Sequence, residues 1–195
     1  MDEGLSKIRH ERSRKDFPFL KLEDGEYVEF AFMRAKICLF LMFGGLTVGF
    51  GLVLLAFLAI LMGQPTLDEM GRNFLYIILA AIVAAVLITS FFIATIYRGN
   101  RLFITNMRVI QRTMISPVST SMNIIDLASI EDVSFSQNSI MQKLFHYGTF
   151  RLSTVGDETT YTFPYSDISP SDLKEVSKLV SESKKKKTSD EIIIY

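Results

Sequence analysis

The sequence predicts an α+β membrane protein: a transmembrane α-hairpin joined to an antiparallel β-sandwich or barrel capped by a C-terminal helix. Three observations carry this. Two uncharged runs, 37–62 and 73–97, are each long enough to cross a bilayer, which takes roughly 20 apolar residues. After Arg98 the pattern changes to short apolar strands punctuated by turn residues. The chain then closes with an amphipathic helix that has its own start signal.

A chain of 195 residues is too short to wrap two such apolar helices in a soluble core. The first run begins after a charged leader and is too long for the apolar part of a signal peptide, so both runs are expected to persist. Their flanks set the orientation. Eight Lys and Arg residues lie between Lys7 and Lys36, and Arg98, Arg101, Arg108 and Arg112 follow the second run. The connection "GQPTLDEMGR" carries only Arg72, beside Asp68 and Glu69. The excess of basic residues on the inner flanks places both termini in the cytoplasm and the short loop outside.

Small residues suggest how the spans meet. Gly45 and Gly49 have GxxxG spacing in the first, and Ala81 and Ala85 repeat at the same interval in the second. Small faces let helix backbones approach closely in lipid, so these four residues are expected at the seam of an antiparallel hairpin. The alternative is a homodimer seam built from the same glycines. Neither run holds an ionisable group at depth, and Thr47, Thr89, Ser90 and Thr95 can bond their own helices. Transport through the chain itself therefore has little support.

Strands are expected near 101–105, 108–116, 120–127, 130–137, 149–155 and 159–164, with a short helical stretch in "NSIMQKLFHYG". The final helix starts at Ser169-Pro170 with Asp172 completing a capping box, and Leu173, Val176, Leu179 and Val180 form its apolar face.

The soluble part offers little chemistry. From residue 99 onward eleven basic residues balance eleven acidic ones, which argues against a nucleic-acid partner. Cys38 is the only cysteine, excluding an intrachain disulfide or a cysteine zinc site. His10 and His146 are far apart, and Glu131-Asp132 and Asp157-Glu158 lack metal-loop spacing. "FGGLTVGFG" lies inside a span, where no nucleotide reaches it. No catalytic residue, metal or cofactor is expected, and no enzyme.

Order and spacing of the motifs in this part are informative. "LFITNMRVI" supplies Thr105, Asn106 and Arg108. "IIDLASIEDV" follows with Asp126, Leu127, Ile130 and Val133, then Gln137 and Ser139, then Tyr147, Gly148 and Thr149. Over residues 101 to about 181 this resembles the bacterial pleckstrin-homology (PH) domain of membrane-anchored proteins, with Asp126 where that family usually has proline. "LEDGEYVEFAF" resembles the family's opening strand, which would supply a seventh strand and leave the two spans inserted between the first and second. The alternative is an interfacial segment with Tyr27, Phe30 and Phe32 in the headgroups.

The expected division is a cytoplasmic tail 1–21, a first strand within 22–34, spans 36–63 and 73–98 around an external loop 64–72, a PH-like domain 99–183, and a disordered tail 184–195. The resemblance implies a prokaryotic plasma-membrane protein, and a non-enzymatic module for protein contact or self-association, possible roles including envelope homeostasis. Alternatives are a lipid-headgroup sensor or an accessory subunit of a transport or secretion complex. Headgroup contacts, if made, would fall to Arg98, Arg101, Lys184 and Lys185. The loop that grips phosphoinositides in eukaryotic relatives would here be replaced by the hairpin.

Overall fold

The computed structural model describes residues 2–63, 68–154 and 160–193. In chain order the elements are α1 (Asp2–Asp16), β1 (Val28–Met33), α2 (Lys36–Gly63), α3 (Glu69–Gly99), β2 (Arg101–Thr105), β3 (Arg108–Ser116) and β4 (Ser119–Asp126). A 3-10 turn (Leu127–Ser129) follows, then β5 (Ile130–Ser136), α4 (Ile140–Leu144), β6 (Gly148–Thr154), β7 (Thr160–Ser166) and α5 (Pro170–Ile193). The turn expected at 156–158, part of the expected external loop (64–67) and the last two residues of "IIIY" lie outside the described residues.

Strands β1-β2-β3-β4 form one antiparallel sheet and β5-β6-β7 a second. Alternation along β2 sorts its side chains. Leu102 and Ile104 enter a core shared with Val109, Phe150, Leu152 and Phe163 of both sheets, which Val176 and Val180 of α5 close. Phe103 points the other way and, with Ile110, is covered by Leu20, Phe17 and Leu22 of the leader. That cover makes β2 buried on both faces. Burying a Phe or Leu side chain contributes roughly 1.5–3 kcal/mol, so the leader is a structural layer. The stretch expected as a tail is in fact helix α1 followed by an apolar strap.

β1 pairs with β2, Phe32 opposite Leu102 and Ala31 opposite Phe103, although both long helices lie between them in sequence. Phe30 and Phe32 pack against the inter-sheet core, stacked on each other at 5.6 Å, rather than in an interfacial helix.

The pairings define two ends of the domain. At the helix-side end, Arg34 bridges Ser166 just before α2 starts, the Ala35 amide donates to the Tyr165 carbonyl, and Tyr97 of α3 donates to the Arg34 carbonyl at 2.8 Å. Ser166 is opposite Gly148, and Thr149 is opposite Ser136. Helix α4, which joins Ser136 to Gly148, therefore sits at this end. So does the β3–β4 turn: Arg112 is level with Arg101, and Met114 to Ser116 run on beside the last turn of α3. There the Asn100 side chain bonds the Met114 backbone, accepting from its amide and donating to its carbonyl. The far end holds the β2–β3 turn and the 3-10 turn, joined where the Leu127 amide donates to the Met107 carbonyl.

α2 and α3 are each long and apolar enough to cross a membrane. Their polar hydroxyls bond their own helices, Thr47 to Gly44, Thr89 to Ala85, Ser90 to Val86 and Thr95 to Phe91. The small-residue seam requires correction. Gly45, Gly49, Ala81 and Ala85 all face outward, and a Cβ built on Gly45 or Gly49 meets nothing within 4 Å. The shielded positions include Leu46, Phe50, Leu54, Phe57 and Leu61 of α2 and Leu75, Leu79, Ile82 and Val86 of α3. Steps of three and four residues keep large side chains on one seam, as in knobs-into-holes packing; Gly45 and Gly49 lie outside it.

Candidate functional site

The Thr-Asn-x-Arg motif closes the far end. Glu26 is fully buried, held by the strap turn at Gly25, whose φ of +79° favours glycine. Arg108 grips it with a fork, Nε to Oε1 at 2.9 Å and an Nη to Oε2 at 2.8 Å. The same guanidinium reaches Glu23 at 3.0 Å and the Lys21 carbonyl at 2.9 Å. Thr105 donates to Glu26 Oε1 at 2.8 Å, and its hydroxyl accepts from the Arg108 and Met107 amides. Asn106 substitutes for a strand, accepting from the Tyr27 amide and donating to the Gly25 carbonyl.

Apart from the two amides that Thr105 accepts within its own turn, these bonds join the leader to the β2–β3 hairpin, about 80 residues away. The charge arrangement follows. Burial alone would raise the Glu26 carboxyl, but the Arg108 guanidinium, the Glu23 amide and the Thr105 hydroxyl outweigh it and hold it below its ordinary value. Its carboxylate in turn raises Arg108, against the opposing effect of burial. Two oppositely charged groups with this many hydrogen bonds form a clasp, with no bond left for a ligand on Glu26.

At the helix-side end the second motif is also structural. A Cβ on Gly148 would lie 2.6 Å from the Ser136 carbonyl oxygen and 2.6 Å from the Phe135 ring, so only glycine fits. Tyr147 is buried and stacks on Tyr165 at 5.7 Å. Gln137 donates to the Tyr147 and Gln142 carbonyls, and Ser139 and Gln142 form a reciprocal capping box on α4. His146 follows α4 in the left-handed region, φ +54°, with its side chain exposed. Asp126, the departure from the family's proline, caps the 3-10 turn through the Ala128 amide.

The four expected headgroup contacts separate into two groups. Arg98 and Arg101 lie at the helix-side end, where Arg101 Nε donates to the Arg98 carbonyl at 3.2 Å. Lys184 and Lys185 do not join them. α5 starts beside the end of β7 and runs toward the far end, where Lys184 Nζ reaches the Glu131 carbonyl at 3.3 Å. The same helix continues to Ile193, so 184–193 is helical rather than a disordered tail. Among the described residues no group of three or more His, Cys, Asp and Glu could hold a metal.

Three features escaped the sequence reading: Glu26 as the partner of Arg108, Asn100 as the splint between α3 and β3, and Gln111, which donates across the sandwich to the Thr162 carbonyl. An acidic residue after Gly25 was a visible signal for the first. The other two were silent, since a lone amide in a strand does not name its partner.

Seven antiparallel strands in two sheets, closed by a C-terminal helix and carrying two long apolar helices, define a PH-like α+β protein. The family described as Bacterial PH domain matches residues 39–184, most of the chain, and the chain belongs to that family. The matched residues begin inside α2, so β1 enters the sheet by its observed pairing alone. Comparison with curated proteins returns no match.

Proposed function

We propose that this protein is a non-enzymatic interaction module of the prokaryotic plasma membrane, multi-pass, with both termini cytoplasmic and its PH-like domain fixed at the inner face. α2 and α3 form a membrane hairpin inserted in that domain between β1 and β2, and the Glu26–Arg108 clasp closes the domain across the insertion. Recruitment by a soluble headgroup-binding loop then has no role, because the anchor is covalent. The domain's use is contact with protein, in the first instance a second copy of itself.

The observation that carries this reading is the outer edge of β4. Its sequence STSMNIID has no charge before Asp126, its side chains are exposed at every position but Ile125, and among the described residues β3 is its only strand neighbour. The other three edges are engaged. The β1 Val28 amide donates to Ser13 of α1, Lys184 of α5 reaches β5 at Glu131, and β7 receives the Ala35 amide at its Tyr165 carbonyl and the Gln111 side chain at its Thr162 carbonyl. An uncharged open edge invites strand addition, and Met122 and Ile124 supply exposed apolar contacts beside it.

The test is the mass of the full chain, extracted gently into nanodiscs, as wild type and as Met122→Lys/Ile124→Lys. Discrete oligomers or a co-purifying membrane protein in the wild type, lost in the double variant, support the reading. Monomers in both, or the same partners in both, refute it.

A further inference from the structure

The helix-side end of the domain presents apolar side chains that the fold does not use. In α4, Ile140 is 85% exposed, and Met141, Leu144 and Phe145 are exposed beside it. In the β3–β4 turn, Ile115 is 72% and Val118 97% exposed. These two segments are remote in sequence, yet strand pairing puts both at the end from which α2 and α3 depart. A short helix held by a reciprocal capping box and a Gln137 brace is a built feature. Such care is not needed for a solvated loop, where polar residues would serve.

Basic residues gather at this end beside Asp167 and Asp172, which follow β7. Lys36, Arg98, Arg101 and Lys143 take part in no ion pair among the described residues. Arg101 stands opposite Arg112 in the β2–β3 pair, a like-charge arrangement that costs a sheet stability, and the Arg112 guanidinium lies over the Phe19 ring. Apolar side chains flanked by cations suit one environment, the boundary between acyl chains and anionic headgroups. The spans fix the level. Tyr97 and Arg98 mark where α3 leaves the apolar run, as interfacial aromatic and basic residues do, and Met114 to Ser116 lie alongside that turn.

We propose that this end of the domain is a lipid-contact surface: α4 and the β3–β4 turn are embedded in the inner interfacial layer of the bilayer that α2 and α3 cross. The domain is then pinned at three places rather than hung from a pair of linkers. β4, rising from the embedded turn, stands away from the membrane with its open edge turned sideways toward neighbours in the same bilayer. This inference rests on the reading of α2 and α3 as membrane spans.

The experiment uses the full chain in a Cys38→Ala background, reconstituted in phosphatidylcholine vesicles with and without phosphatidylglycerol. Single cysteines at Val118, Leu144, Val48 and Lys187 carry a polarity-sensitive fluorophore, read against lipids spin-labelled near the headgroup for 118, 144 and 187 and near the middle of the acyl chain for 48. Lipid quenching at 118 and 144, several-fold above that at 187 and stronger with phosphatidylglycerol, is expected. Water-like emission without quenching at 118 and 144, while 48 is quenched, overturns the inference and leaves the spans standing. Absence of quenching at 48 overturns the spans themselves. Shielded emission at 118 and 144 without lipid quenching assigns the surface to a protein instead and equally overturns the inference.

Discussion

At the far end of the domain a buried carboxylate is saturated with polar bonds: Glu26 takes two from Arg108, one from Thr105 and one from the Glu23 amide. At the helix-side end, 115, 118, 140 and 144 leave apolar side chains with no partner in the fold. The difference teaches where each end does its work. The far end must hold together two pieces of chain separated by the two long apolar helices, and only directional, geometry-specific bonds can fix a register across such a gap. The helix-side end is already joined covalently to the long helices, so its side chains are free to meet something outside the fold.

The comparison breaks most severely if the clasp is removed. Arg108→Ala leaves Glu26 buried and unpaired, a defect that costs on the order of 3–5 kcal/mol. Thermal denaturation of the full chain in detergent should show the PH-like domain melting far below wild type. Arg108→Lys should rescue it only in part, since an ammonium cannot reproduce the fork. A melting curve unchanged in Arg108→Ala would mean that the far end is not a clasp.

Acid should open the same end selectively. The Glu26 carboxyl titrates below its ordinary value when folded, so it binds protons more weakly in the folded than in the unfolded chain. Its stabilisation is complete above the unfolded value, about 4.3, and is lost as pH falls through the folded value. Glu26→Gln should be less stable at neutral pH and show a shallower loss as pH falls below about 4.3, on the order of one titrating group fewer. Parallel pH profiles for the two proteins would remove Glu26 from the account.

At the helix-side end the expected effects are smaller. Gly148→Ala forces a methyl against the Ser136 carbonyl and the Phe135 ring, and overpacking of this kind costs about 1–3 kcal/mol. Chemical denaturation measures it. Smallest of all is Gly49→Leu, whose side chain enters open space on α2 and should leave disulfide cross-linking between α2 and α3 unchanged, whereas Phe57→Ala should weaken it. A seam disrupted by Gly49→Leu would restore the small-residue packing that the structure sets aside.

Much of the fold was readable before the structure. Strands β2 to β7 fall within a residue or two of their expected bounds, because alternating apolar residues and turn signals are local information. The start of α5 was equally local: Ser169 and Asp172 bond each other's amides as a capping box. What depends on distant partners was not readable. α1 is highly charged and gains its place through Phe17 and Leu20 on Phe103, contacts no periodicity announces. The GxxxG spacing misled because small residues permit close approach without requiring it, and large side chains at steps of three and four took the seam. Lys184 and Lys185 read as membrane-facing by charge alone; the direction of α5 carries them to the opposite end.

Hydrogen exchange of the full chain in nanodiscs tests most directly the claim that leader and hairpin form one domain across the membrane insertion. In the wild type the amides of β1 should be protected to the same degree as those of β2, and in Arg108→Ala both should lose protection together. Rapid exchange of β1 in the wild type, beside a protected β2, would contradict it.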